Sequence, residues 1–265
     1  MEEESRRFYN NIAITNWNVN GVNSNKGEEK LKYLKKISNK LRASIITLQE
    51  THTYNNDNLI TQTFNKHYWI FNNYTVQERG LATGVCFPFV PSYECPIVVH
   101  ESSFLIICAF LEEELVQIAN IYLLIGRQRE AWVEMLRVLD KKLPVIVVGD
   151  FNIDSEEDEM KRMEEEVMGV GVVRIRNPSP THYRGRTIDH VFITSSLIPA
   201  DFYIYSYPPF MKDHYILLFK TYAMPPHRND RIPAHVGGDP TFIEVVLREW
   251  GSMVRMSILW LIWRG

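Results

Sequence analysis

The segment Pro144-Val145-Ile146-Val147-Val148-Gly149-Asp150-Phe151-Asn152 constrains the fold of this chain most. Its β-branched run has no polar face, so it suits a fully buried strand. Gly149 is expected to let the backbone turn, so that Asp150 and Asn152 emerge together at the C-terminal end of that strand. Glycine, aspartate and asparagine in succession also make ordinary local turns. The segment therefore acquires a chemical meaning only from what the rest of the chain brings to it.

Apolar runs predict further strands over residues 12–18, 43–50, 68–72, 84–89, 104–111, 116–122, 187–193 and 214–219. Short turns join the middle ones, which implies antiparallel pairing there. Helices are expected over 28–41, with Leu31, Leu34, Ile37 and Leu41 on one stripe, over 129–142, with Trp132, Met135, Leu136 and Leu139, and over 154–166. Residues 174–190 read as a loop. These elements imply an α/β layered sandwich: two packed mixed, mainly antiparallel sheets flanked by helices. One domain is expected over residues 10–222, followed by a linker and a truncated C-terminal tail over 223–265.

Charge limits the partners. The 265 residues carry a net charge of -3, so attraction to nucleic acid has to come from a local basic face. Between Lys26 and Arg42 there are seven Lys/Arg against two Glu, which makes the outer face of that helix basic, and a solvated surface helix is the default reading until something places DNA beside it. Residues 154–166 hold eight Asp/Glu and two Lys/Arg and are expected to lie away from DNA. Cys86, Cys95 and Cys108 show no metal-ligand spacing, and their odd count argues against a disulfide framework and suits a reducing compartment. The N-terminus, Met1 to Arg7, is charged rather than apolar, unlike a secretory signal. The apolar stretch from Ile258 to Trp263 falls far short of the roughly 20 residues that span a bilayer, so no membrane partner is expected. Nucleus or cytoplasm follows as the expected location.

Asn18, Asn20, Glu50, Asp150, Asn152, Asp189, Asp213 and His214 all fall at the ends of apolar strands. A rigid sheet can bring such positions together, and oxygen ligands without thiolate suit a hard divalent cation, Mg2+ or Mn2+ in its place. Such a cation polarises a phosphodiester.

Five ordered blocks carry a resemblance: Trp17-Asn18-Val19-Asn20-Gly21, Leu48-Gln49-Glu50-Thr51, Ile121-Tyr122, Gly149-Asp150-Phe151-Asn152, and Ile188-Asp189-His190 with Asp213-His214. Over roughly residues 12–220 the chain resembles the endonuclease/exonuclease/phosphatase superfamily of Mg2+-dependent phosphoesterases, which have the DNase I-like fold. The resemblance implies that Glu50, Asn18 and Asp213 bind the metal. It implies that Asp150 activates water, that Asn152 and Tyr122 donate to the scissile phosphate, and that His214 contacts that phosphate with its tautomer set by Asp189. Asn20, Thr181, Arg184 and Arg186 would contact substrate.

Within the superfamily these blocks look most like the endonuclease domain of non-long-terminal-repeat retrotransposons, related to apurinic-site nucleases. That likeness implies DNA as partner. The segment from Arg231 to Val236, with Asp239 to Phe242, is similar to the stretch that joins such endonucleases to a reverse transcriptase. The chain departs from the pattern in three places: Tyr122-Leu123-Leu124-Ile125 stands for Tyr-Ala-Pro-Asn, Asn20 for an aspartate and Lys212 for a serine. Other phosphoesterases of the same fold, acting on inositol phosphates, lipids or poly(A), and a decayed inactive retroelement copy are the alternatives.

Overall fold

Strands with apolar residues on both faces need a layer on each side, and the computed structural model supplies those layers. It describes residues 11–223, apart from 23–25, 54–57, 73–79, 87–88, 93–96, 101–102, 112–113, 178, 196 and 206–212. The tail and the segment similar to a reverse-transcriptase junction, as well as Lys212, lie outside the described residues. The first half contains β1 (Asn11–Asn18), α1 (Gly27–Leu41), β2 (Ile45–Gln49), α2 (Asn58–Thr63), β3 (Tyr68–Asn72), β4 (Leu81–Val85), β5 (Phe89–Pro91), β6 (Val98–His100) and β7 (Phe104–Leu111). The second half contains β8 (Glu114–Tyr122), α3 (Gln128–Val138), β9 (Val145–Asp150), α4 (Asp158–Met168), β10 (Val172–Ile175), β11 (Asp189–Thr194), β12 (Leu197–Tyr205) and β13 (Ile216–Ala223).

One sheet has the order β12-β13-β1-β2-β4-β3 and the other β10-β11-β9-β8-β7-β5, with β6 also on β7. Alternate residues face alternate layers. Ile12, Ile14 and Leu217 of the first sheet meet Ile107, Ile118, Ile146, Val148 and Val191 of the second in the inter-sheet core. The intervening Ala119, Ile121, Val145, Val147 and Phe192 point outward and are covered by Trp132 and Met135 of α3 and Met160, Met163 and Val167 of α4. Leu31, Leu34 and Ile37 of α1 cover Ile46 and Leu48 in the same way. This double covering is why β9 reads as a continuous apolar run.

Two pairs of neighbours are parallel, β1 with β2 and β8 with β9, each joined by a helical crossover. The C-terminal ends of each pair therefore point the same way. The pairings of β3 with β4 and β7 with β8 are antiparallel, as expected, and so is that of β2 with β4.

Several expectations need correction. Gly149 makes no turn: it lies inside β9, where Ile121 O passes 1.9 Å from the position a Cβ would occupy. The strand expected over 84–89 divides into β4 and β5, with Phe89 N–H bonded back to Cys86 O. Helix α3 stops at Val138 because Leu139 is extended (φ -67, ψ 131), in a segment that runs on to Pro144. The acidic helix starts only at Asp158. β10 occupies the start of the expected loop, its arginine-rich sequence hiding a strand that pairs with β11. β12 has no clear strand pattern in the sequence because Pro199 and the register shift between Pro199 and Asp201 break its alternation.

Candidate active site

The parallel pairs deliver Asn18 and Glu50 from β1 and β2, and Tyr122 and Asp150 from β8 and β9. Antiparallel β11 begins at Asp189, directly opposite Asp150. Antiparallel β13 runs beside β1, which brings the preceding Asp213 and His214 to the end of β1. Glu50 (φ 50) and Asn152 (φ 51) both hold left-handed backbone just past their strands, a conformation uncommon for glutamate and tolerated by asparagine.

The side chains form one continuous array. Asn18 Nδ2 donates to Glu50 Oε1 at 3.0 Å and to Asp150 Oδ2 at 2.9 Å, joining the two sheets' contributions. His214 Nε2 lies 3.5 Å from Asp150 Oδ2, and its Nδ1 lies 3.0 Å from Asp189 Oδ2. Asp150 Oδ1 accepts the Asn152 N–H at 2.9 Å, and Asn152 Nδ2 donates to Leu123 O at 3.0 Å. Asn20 N–H donates to Asn18 Oδ1, and Asn20 Nδ2 donates to Asp213 Oδ2 at 2.8 Å.

Burial sets the protonation of this array. Burial pushes the Asp150 carboxyl up to about 7; His214 opposes the rise and Asp189 adds to it. Burial would lower His214, but Asp189 and Asp150 together outweigh it and push it up to about 10. His214 is therefore a cation between two carboxylates. Asp150, Asp189 and His214 bring ligand atoms within 4.8 Å of one another. With both ring nitrogens of His214 directed at carboxylates, that triad suits proton holding better than metal binding. The oxygens of Glu50 and Asp213, without thiolate, fit a hard cation. Asn18 spends its amide N–H groups on Glu50 and Asp150 and its Oδ1 on Asn20, so in this geometry it orients the carboxylates.

Other expected contacts sit differently. Tyr122 is 1% exposed and packs in the inter-sheet core. Thr181 is buried, and its Oγ1 accepts the N–H groups of Ile188 and Asp189, so its hydroxyl holds the start of β11 rather than facing outward. Arg186, expected to contact substrate, pairs instead with Asp154 and Glu157 of the acidic segment. The Arg184 guanidinium lies 5.3 Å from the centroid of the Tyr183 ring.

The structure adds residues that sequence reasoning passed over. The His182 ring meets His214 edge-on at 5.1 Å, and the two residues form an isolated β-bridge. Lys30, hidden among surface lysines of α1, reaches back to the loop after β1. Beneath the site, Gln49 Nε2 donates to Asn16 Oδ1 and Asn120 Oδ1, linking the two sheets. Gln49 stands inside the Leu48-to-Thr51 block and Asn120 one residue before Ile121-Tyr122, a signal that could have marked them.

The profile of the endonuclease/exonuclease/phosphatase family matches residues 15–214. The comparison with curated protein sequences yields no match. Among solved structures, an endonuclease/exonuclease/phosphatase from Beutenbergia cavernae superposes with a TM-score of 0.64 at 13% identity, covering 80% of this chain and 72% of that one. TDP2 from Caenorhabditis elegans gives 0.61 at 14% identity, over 81% of this chain and 75% of that one. An AP endonuclease from Archaeoglobus fulgidus gives 0.59 at 17% identity, over 78% and 98%. At these identities the likeness is one of fold, the layered α/β sandwich expected from the strand and helix pattern.

Proposed function

The chain belongs to the endonuclease/exonuclease/phosphatase family, and from that premise we propose that it is a divalent-metal-dependent phosphodiesterase that nicks DNA. The observation that carries the reading is the Asn18 carboxamide bridging Glu50 and Asp150, which couples a metal-binding half to a water-activating half. A hard divalent cation, when bound by Glu50 and Asp213, supplies Lewis-acid polarisation and charge neutralisation at the phosphate.

The chain's own residues do the rest. Asp150, raised to about 7, takes the proton of the attacking water near neutral pH. The water oxygen bonds to phosphorus and the bond from phosphorus to the 3'-oxygen breaks; the departing 3'-oxygen takes a proton from solvent, leaving a 3'-hydroxyl and a 5'-phosphate, and Asp150 returns its proton to solvent. His214, fixed by Asp189 and facing Asp150, keeps its positive charge beside the reacting phosphate and offsets the charge that grows there. Asn152 spends one amide hydrogen on Leu123 O and keeps the other for a phosphate oxygen.

DNA as substrate is supported by the exposed Lys26, Lys32, Lys36, Lys40 and Arg42 on and beside α1, and by the retrotransposon-type blocks. The finer reading is the endonuclease of a non-long-terminal-repeat retrotransposon, whose 3'-hydroxyl would prime a reverse transcriptase. The altered block beside Tyr122 does not dismantle the scaffold, because Leu123 bonds Asp150 O through its N–H and Asn152 through its carbonyl, using backbone alone. That observation speaks against a decayed copy. The ion pairs of Arg186 favour a second reading, a smaller phosphate ester, since they leave less free positive charge near His214.

Supercoiled plasmid incubated with protein and Mg2+ should relax to nicked circles, and Asp150→Ala or His214→Ala should each slow this at least a hundredfold. Nicking indifferent to both changes would sink the assignment. Turnover of an inositol phosphate or a phospholipid without nicking would favour the second reading.

A further inference from the structure

The loop after β1 is held from both sides. Its amides are bonded to β2 and to the two residues just past that strand: Val19 N–H donates to Gln49 O, Gly21 N–H to Glu50 O and Val22 N–H to Thr51 O. Its carbonyls belong to one side chain. Lys30 Nζ donates to Val19 O at 2.7 Å, Asn20 O at 2.9 Å and Gly21 O at 3.3 Å. An ammonium has three hydrogens, so these carbonyls match its full donor set. Left-handed backbone at Asn20 (φ 44) and Gly21 (φ 82) accompanies this convergence of consecutive carbonyls on one point. The first turn of α1 is pressed so closely to the loop that a Cβ on Gly27 would sit 1.6 Å from Val22 O, which brings Lys30 within reach.

From the last residue of β1 and from this loop the side chains reach the carboxylates, Asn18 to Glu50 and Asn20 to Asp213. Burial lowers the Lys30 pKa, while the charges of Asp213 and Glu50 work to raise it. Lys30 is therefore placed where both proposed metal ligands act on it.

We propose that Lys30 is a positioning residue for the metal: by clamping the carbonyls of Val19, Asn20 and Gly21 it aims Asn18 at Glu50 and Asn20 at Asp213. The inference rests on the reading of Glu50 and Asp213 as ligands. A mere cation near a metal would repel it, so removing the charge would tighten binding. A clamp does the reverse, and loss of an outer partner of this kind weakens metal binding about tenfold to a hundredfold.

Calorimetric titration of the full chain with Mg2+ alone separates these cases. Lys30→Met should weaken Mg2+ binding by about tenfold or more. Lys30→Arg, which keeps the charge but not the compact point donor, should weaken it as well. Tighter or unchanged Mg2+ binding in a folded Lys30→Met variant, including one whose only defect is a lower Tm, would overturn the proposal. Should Lys30→Met fail to fold, Lys30→Arg binding Mg2+ as the wild type does would overturn it equally. Glu50→Gln tests the underlying reading separately: wild-type affinity in that variant, or no Mg2+ uptake by the wild type, would remove the metal assignment and this inference with it.

Discussion

Asp150 and His214 are both raised, for different reasons. A carboxyl taken out of water resists ionising and rises to about 7, whereas the imidazole, flanked by two carboxylates, keeps its proton up to about 10. The pair should therefore be active in the window between them. kcat/KM for nicking should climb as pH passes about 7 and fall near 10; a flat profile across pH 6 to 8 would contradict the role given to Asp150. His190, next to Asp189, follows the other rule. It is buried against Phe151 with its Nε2 bonded to Ile153 O, and burial lowers it from 6.5 to about 4. Below pH 6.5 the unfolded chain binds a proton that the folded chain refuses, so stability is lost as pH falls from 6.5 to about 4. The loss is on the order of 3 kcal/mol. His190→Phe should flatten that acid limb in urea unfolding measured across this range.

At the scale of elements, the close approach of β8 and β9 decides whether Tyr122, Leu123 and Asp150 stay in register. Gly149 permits it, since Ile121 O occupies the space of a side chain. Gly149→Ala should force the two strands apart, lower stability by about 2 kcal/mol and reduce nicking roughly a hundredfold through misplaced Asp150. Melting and nicking measured together check both parts. The sequence showed the glycine but suggested a turn, because residue type alone does not reveal a neighbouring carbonyl. The same limit hid Lys30 and Arg186: a basic residue reads identically whether it faces water, three carbonyls or two carboxylates.

Across the whole molecule, the two sheets must keep a constant offset for Glu50 of one to work with Asp150 of the other. Apolar packing resists separation but allows sliding, whereas hydrogen bonds specify position. Asn120, on β8, accepts from Gln49 Nε2 at 2.6 Å and donates to Leu48 O, Ala82 O and Thr83 Oγ1 of the other sheet. Asn120→Leu would strand these buried groups and should cost on the order of 3 kcal/mol in denaturant unfolding. A loss below about 1 kcal/mol would show that the inter-sheet offset rests on apolar packing alone. No described helix is long and apolar enough to cross a membrane.

The sequence by itself determined the layered α/β class and the presence of polar groups at strand ends, because periodicity and burial leave their mark on residue order. It also marked Glu50, Asp150, Asp189 and His214, since each stands where an apolar run stops or is about to start. Only the tertiary structure decided which of the chemically similar groups face one another. Asn18 became the bridge between carboxylates, Thr181 turned inward to hold β11, and Tyr122 went into the core. The reason is that partners such as Asn20 and Asp213, 193 positions apart, meet only through the pairing of β1 with β13. No local pattern in the chain encodes that pairing.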